Sequence, residues 1–367
     1  MIVHLTTAHP RHDIRIFHKM SRGLTSGPFT LLVADGLGNR IIDGVSIVDI
    51  GKAKSRLSRI LFTPWYAANA IRKKNVQLIH FHDPEFLLPA LWLKFLGFVV
   101  VYDVHEDVPR QILSKPWLPG TFRKPISWVF EQFENFAAKK MSAIVTATST
   151  IADRFRPFSI PVTVVHNYPI SAEFVTSKPA LTNNALCYIG GISRVRGIDQ
   201  LIQALSLLPD FTLTLAGRFQ PPSLQSELEL LPGWAQVDYR GEVDRNEITA
   251  ILENASIGVA TLLPIENYLD SLPIKMFEYM ASGLPVLASN FPLWQRLVED
   301  TGAGICVDPQ NPKAIAVAVL NLMKNPSTLQ EMGTRGKELI KKKYNWDTQL
   351  NELLRLYRKL GIEVNPL

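Results

Sequence analysis

The chain has 367 residues, 47% hydrophobic and 20% charged, too long for one ordinary core and of a composition that excludes wholesale disorder. Its net charge of +6 is unevenly placed: 1–169 holds 21 Lys and Arg against 12 Asp and Glu, a net +9, and the remainder 18 against 21, a net −3. Such asymmetry suggests that the first half faces something anionic. The two cysteines, Cys187 and Cys306, lie in apolar strand-like runs without a ligand-spaced Cys or His, so they read as inert thiols and point to a reducing compartment.

The N-terminus, Met1-Ile2-Val3-His4-Leu5-Thr6, has no basic region followed by an apolar stretch and cleavage site. It reads as a first strand, not a signal peptide, and predicts a cytoplasmic chain. Further strands are expected at Thr30–Ala34, Val45–Ile50, Leu78–Phe81, Val99–Val104, Ala143–Ala147 and Val162–His166. After an aperiodic stretch, Tyr168–Asn184, they resume at Ala185–Ile189, Thr212–Ala216, Val237–Arg240, Ile257–Ala260, Val286–Ala288 and Ile305–Val307. Strands rich in Val, Ile and Leu that alternate with helical patterns indicate parallel sheets covered on both faces. The series occurs twice, which predicts an α/β chain of two doubly wound, Rossmann-like domains, 1–168 and 185–346. A last helix near 347–367 carries Leu350, Leu353, Leu354 and Tyr357 on one face and either extends the second domain or packs back on the first.

The longest apolar stretch, Phe86–Tyr102, is broken by Pro89, Lys94 and Gly97 into a buried helix and a strand, too short to span a membrane. Lys52–Lys74 carries Lys52, Lys54, Arg56, Arg59, Arg72, Lys73 and Lys74 with no acidic residue, while Leu57, Ile60, Leu61, Trp65, Ala68 and Ile71 recur at helical spacing around a possible kink at Pro64. Lys115–Lys140 mixes Trp117, Phe122, Trp128 and Phe130 with Arg123 and Lys124. Basic, aromatic-bearing amphipathic segments suit an anionic membrane surface. The alternative, apolar stripes on the core beneath solvated charges, stays open. No nucleic-acid-binding module accompanies the charge.

Polar residues gather just past strand ends, where ligands collect in such sheets. In the first half these are His80, His82, Asp83 and Glu85 after one strand, His105, Glu106 and Asp107 after another, and Asp13 and Arg15 after the first. Asp13 and Arg15 either serve a ligand or only cap the next helix. His80 and His82 share a strand face, but no third metal ligand is evident, so no metal is expected. In the second half Gly190-Gly191 follows a strand and Arg194 and Arg196 follow the pair; Arg218 ends the next strand. The run Asp270-Ser271-Leu272-Pro273-Ile274-Lys275-Met276-Phe277-Glu278, ending at Gly283, predicts a short helix with Ser271 as N-cap. Ser271, Lys275, Glu278 and Ser282 fall on one face, so the helix either offers backbone N–H groups and a Lys to phosphate and a carboxylate to hydroxyls, or is an amphipathic surface helix with a routine Lys–Glu pair.

That run resembles the E-x7-E region of retaining GT-B glycosyltransferases, family 4 in particular. The resemblance implies two Rossmann-like domains facing a cleft, with Glu278 on the nucleotide ribose and Asp270 at the donor sugar. Asp270 stands where the family has Glu. Tyr188–Gly197 is similar to the family's strand-Gly-Arg, loop, Lys-Gly element, with Gly191 at the Arg position and Arg196 at the Lys; it implies donor binding by Gly190, Gly191, Arg196, Arg218, Lys275 and Glu278. His105 resembles the family's His at the reaction centre, so His105 and Asp270 are the expected catalytic pair. Asp13, His82 and Asp83 fall on the acceptor side. A Gly-Gly pair common after the family's first strand is missing from His9–Arg15.

The implied activity is transfer of a sugar from a UDP- or GDP-sugar, without other cofactor, to a glycan or lipid-linked acceptor, with retention and without metal. A nicotinamide oxidoreductase is excluded because no G-x-G-x-x-G follows the first strand. A sugar-nucleotide epimerase, a phosphorylase and a non-catalytic sugar-nucleotide binder remain open.

Overall fold

The computed structural model describes residues 1–24, 28–113, 118–174 and 179–364. It forms two compact units: Met1–Asn167 with Trp346–Leu367, and Tyr168–Asn345.

The first unit holds β1 (Ile2–Leu5), β2 (Phe29–Val33), β3 (Arg40–Ile42), β4 (Val45–Asp49), β5 (Leu78–Phe81), β6 (Val99–Val104), β7 (Ala143–Thr146) and β8 (Val162–Val164). They form one sheet in the order β3-β4-β2-β1-β5-β6-β7-β8, parallel throughout except β3 on β4. The sequence reading misses β3. Three residues are too few to show a period, and Ile41 is exposed. The available signal was Asp43-Gly44, both with positive φ (48° and 79°), a pair that suits a tight hairpin turn.

Side chains alternate across this sheet. Val3, Leu5, Ile79, Phe81, Val100, Tyr102 and Val104 enter an apolar core with Ala68, Ile71, Ala90, Leu93 and Ala137 of three helices, Thr63–Arg72, Leu87–Phe95 and Gly120–Ala138. Register puts His4 beside His80, and His80 beside Val101, so His4, His80, His82 and Asp103 share the other face. The helix Trp346–Lys359 brings Tyr357 to that face.

The two basic stretches differ from the core-packing alternative. Leu57, Ile60, Leu61 and Trp65 are exposed, whereas Ala68 and Ile71 are buried. Pro64 does not kink one helix; it lies in the first turn of a new one, after Arg56–Leu61. Phe122 and Trp128 are also exposed. Lys115 and Trp117 fall outside the described residues. Among the described residues no helix is long and apolar enough to cross a membrane.

The second unit holds β9 (Ala185–Ile189), β10 (Thr212–Ala216), β11 (Val237–Gly241), β12 (Ile257–Ala260), β13 (Val286–Ser289) and β14 (Gly304–Val307), all parallel, in the order β11-β10-β9-β12-β13-β14. The chain winds outward from β9 and then returns to β12, so the order reverses between β9 and β12, the place where such sheets open a crevice for ligands. The helix Ile274–Ser282 packs beside it because β12 offers Gly258: a Cβ there would stand 2.3 Å from the Tyr279 ring.

Candidate functional site

Three elements of the second unit converge at this reversal. β9 is followed by Gly190, whose φ of 118° disfavours a side chain. A Cβ on Gly190 would lie 3.3 Å from Lys275 Nζ, and one on Gly191 would lie 3.4 Å from the Arg196 guanidinium. Lys275 rises from the first turn of its helix and sets Nζ 3.4 Å from the centre of the Tyr188 ring. The ammonium is buried and has no hydrogen-bond partner. Burial, then the Arg196 charge, hold its pKa well below the usual lysine value, against the pull of Glu278. Arg196 is half-buried; burial would lower its pKa, but Tyr188 and Tyr268 outweigh that and raise it. Two cations beside a glycine pair, one of them unpartnered, are suited to an anion that comes from outside the chain.

The helix itself differs in one respect from expectation. Pro273, not Ser271, is the N-cap, and no side chain caps the helix start. Pro273 disfavours helical backbone in the residue before it, so the helix cannot begin earlier. Ser271 Oγ instead donates to Tyr268 O at 3.0 Å. Gly283 ends the helix in the left-handed region, as expected. Glu278 is paired not with Lys275 but with Arg245, Nη1 to Oε1 2.6 Å, and Arg245 also binds Glu173. The sequence reading missed Arg245. It lies 33 residues from Glu278, and its only local signal is the capping box Asp244–Glu247 that fixes it as the first residue of the helix Arg245–Asn254. Asp270 is exposed and closes the short helix Glu266–Leu269. Arg218 is exposed and pairs with Glu242 at 2.6 Å, and Arg194 is engaged by Asp199 and Glu227.

The first unit builds a different centre. Arg15 grips Asp103 with Nε at 3.0 Å and Nη2 at 2.8 Å, and its Nη1 donates to Val165 O. On Asp103 Oδ2 also converge His82 Nδ1 at 3.0 Å and His105 Nε2 at 2.8 Å. Burial would raise the Asp103 pKa, but Arg15, then His105 and His82, hold it well below the carboxylate range. Burial pushes His82 down to about 4 and His4 and His80 well below their ordinary value. His105 alone of this group reaches the surface, its side chain 14% exposed. Asp83 is buried and accepts from the Thr7 and Ala8 N–H groups and from His9 Nδ1 at 2.8 Å. Burial would lower His9, but Asp83 raises it. Asp13 accepts from the Arg15 and Ile16 N–H groups as cap of the helix Ile14–Ser21. Thus Asp13, His82 and Asp83 hold the loop and strand ends in place, and His105 and His9 are the rings set nearer solvent.

The sequence shows no third metal ligand beside His80 and His82, but Asp103 supplies one, their ligand atoms lying within 4.8 Å of one another. Asp103 comes from the neighbouring strand, which sequence spacing hides. A cation there would face the Arg15 guanidinium already seated on Asp103, so the group reads as a hydrogen-bonded network.

Residues 11–168 match the family model Glycosyltransferase Family 4, and residues 171–339 match Glycosyl transferases group 1. The two leave out only 1–10, 169–170 and 340–367. A glycogen synthase of Mycobacterium tuberculosis is 22% identical over 298 residues, covering 78% of this chain and 69% of its own length. An alpha-D-kanosaminyltransferase of Streptomyces kanamyceticus is 24% identical over 297 residues, 75% of this chain and 74% of its own. Among solved structures, sucrose-phosphate synthase from Thermosynechococcus elongatus superposes with a TM-score of 0.76 at 16% identity, covering 98% of each chain. Anabaena HepE in complex with UDP-glucose gives a TM-score of 0.73 at 15% identity, covering 98% of this chain and 99% of its own.

Proposed function

Because this chain belongs to the GT-B glycosyltransferases, its first half of family 4 and its second of group 1, we propose that its donor is a nucleoside-diphosphate sugar held by the second unit. The observation that carries this reading is the buried, unpartnered Lys275 ammonium between Gly190 and the Arg196 guanidinium. A diphosphate brought there supplies the missing acceptors, and the two cations then stabilise charge that grows on the leaving phosphate. UDP is the favoured nucleotide, since the structurally similar HepE binds UDP-glucose. Glu278, paired with Arg245, takes the ribose hydroxyls, and Asp270 takes the sugar.

The reading includes retention, with no metal required, and His105 at the reacting sugar. It also places the chain on the cytoplasmic face of an anionic membrane, with a lipid-linked or polysaccharide acceptor. The support for docking is the exposed apolar side chains of the helices around Trp65, Phe95 and Trp128, among lysines and arginines.

A thermal-shift screen with UDP-, GDP-, ADP- and dTDP-sugars tests the donor. A ligand that binds only the native state raises the melting temperature, by an amount equivalent to about 2.7 kcal/mol at a hundred times its Kd. One nucleotide series is expected to shift the wild type and not Lys275→Met. No shift with any of the four overturns the donor assignment. Activity that survives chelator supports the metal-free reading, and strict dependence on an added divalent ion removes it.

A further inference from the structure

The hydrogen bonds around His105 continue into the first unit. From His82 Nε2 the line passes to His4 Nδ1 at 3.1 Å, from His4 Nε2 to the Tyr357 hydroxyl at 2.8 Å, and from that hydroxyl to His80 Nδ1 at 2.6 Å. All four side chains are buried. Tyr357 belongs to the helix Trp346–Lys359, which follows the second unit in sequence and packs in the first.

One end of this line fixes every proton in it. Asp103 is a carboxylate gripped by Arg15, so it only accepts. His82 Nδ1, 3.0 Å from Asp103 Oδ2, must then carry its proton, which leaves Nε2 as a lone pair. His4 Nδ1 donates to that lone pair, and His4 Nε2 accepts from the Tyr357 hydroxyl. The hydroxyl oxygen, its proton given, accepts from His80 Nδ1. His80 Nε2 ends the line as a lone pair, and it is the buried ring nitrogen that has no hydrogen-bond partner. The opposite order is worse because it would turn the His82 lone pair toward the Asp103 carboxylate, 3.0 Å away. His80 Nε2 lies 3.8 Å from Asp103 Oδ2, beyond hydrogen-bond reach in either order.

We propose that Tyr357 is a positioning residue for the reaction centre. Asp103 sets the His82 tautomer, and Tyr357, through His4, holds the His82 ring plane against which His105 rests, His82 Nδ1 and His105 Nε2 being 2.9 Å apart on the same carboxylate oxygen. The phenol is the one group in the line that can both donate to His4 and accept from His80. The consequence for catalysis rests on the reading that His105 acts at the reacting sugar; the proton order does not.

The test is nitrogen-15 NMR of histidine-labelled full chain near neutral pH, with ring signals assigned by single His→Gln variants. His4, His80 and His82 are each expected to be neutral and protonated at Nδ1. A proton on Nε2 of His4 or His82 in the wild type overturns the order, and this holds even where a variant fails to fold. Tyr357→Phe keeps the ring volume and removes the hydroxyl. It is expected to move the His4 and His80 signals, and those of His82 and His105 with them. Arg355→Ala, at an exposed position of the same helix, leaves these signals in place. His82 and His105 signals that stay put in Tyr357→Phe overturn the positioning role. Failure of the functional reading shows separately, as His105→Ala retaining full turnover.

Discussion

The two units share a doubly wound plan and differ in what they bury and what they show. All eight histidines of the chain lie between His4 and His166, and the second unit has none. The first sheet gives one face to His4, His80, His82 and Asp103, while the second unit closes around an apolar core and buries the Lys275 ammonium without a hydrogen-bond partner. Exposure is reversed as well. Large apolar side chains lie open along the helices of the first unit from Leu57 to Phe136, but the second exposes scattered ones such as Leu207, Leu230 and Val317. A fold of this class therefore constrains the plan of layers but not the place of polarity. The first unit buries a hydrogen-bonded polar network around Asp103, and the second buries an ammonium without a hydrogen-bond partner.

The largest effect should come from breaking the first network. Arg15→Met leaves the Asp103 carboxylate buried without its guanidinium, and removing one partner of a buried pair costs about 3–5 kcal/mol. Chemical denaturation should show that loss, with hydrogen exchange locating it in β1, β5 and β6. A loss under about 1 kcal/mol would mean that the network is not what holds the first unit.

Acid should separate the units by a different route. His4, His80 and His82 have folded pKa values below their unfolded one, so their stabilisation is present above about pH 6.5 and fades as pH falls toward the folded values. For His82, at about 4 when folded, the loss between pH 7.5 and pH 5 is about 2 kcal/mol. Asp103 acts in the same direction at lower pH, and His9, raised by Asp83, opposes it. Exchange protection should therefore collapse in β1 and β5 before β9 and β12. Equal collapse in both sheets would break the comparison.

The second unit should answer its own substitution with the opposite sign. Lys275→Met replaces a buried, unpartnered ammonium with an apolar chain of similar length, which should stabilise the ligand-free protein by about 1 kcal/mol. The same change should abolish the shift that the donor produces. Because burial and Arg196 lower the Lys275 pKa, a bound diphosphate should raise it again, so donor affinity falls as pH rises through the lowered value and binding above that pH takes up protons. Calorimetry in buffers of different ionisation enthalpy would detect that uptake. A destabilised Lys275→Met, or binding without proton uptake, would argue that Lys275 is structural.

The elements legible in the sequence are those whose pattern is local. Parallel strands such as β5, β6 and β9 are mostly apolar runs, and the observed bounds match the expected ones. Lys275 and Glu278 were legible because one helix carries both. What escaped depends on register between distant strands. Asp103 stands in Val99–Val104 as a charged residue inside an apolar strand, and its need for Arg15 appears only when that side chain reaches the sheet. Tyr357 passes for one more apolar face position, because nothing near it shows that His4 and His80 wait opposite. Arg245 is invisible for the same reason.

The smallest effects per residue belong to the outer helices. Thr63–Arg72 packs against Leu87–Phe95, and that helix against Gly120–Ala138. Buried alanines, Ala68, Ala90 and Ala137, let this layer lie close on the sheet. The bulky residues then face outward: Leu57, Trp65, Tyr66, Phe95, Trp128 and Phe136. Not all the nearby charge is available to lipid, since Arg59 binds Glu85 at 2.6 Å and Arg72 lies over Trp92. Each basic residue that does reach an anionic surface contributes about 1 kcal/mol, and salt screens it. Sedimentation with anionic vesicles at low salt should therefore deplete the protein from the supernatant. Neutral vesicles or raised salt should leave more of it there. Trp65→Ser with Phe95→Ser should weaken the anionic binding while Leu320→Ser, exposed on the second unit, should not. Equal recovery from both kinds of vesicle at both salt levels would sink membrane docking. The outward apolar layer of the first unit would then require another partner.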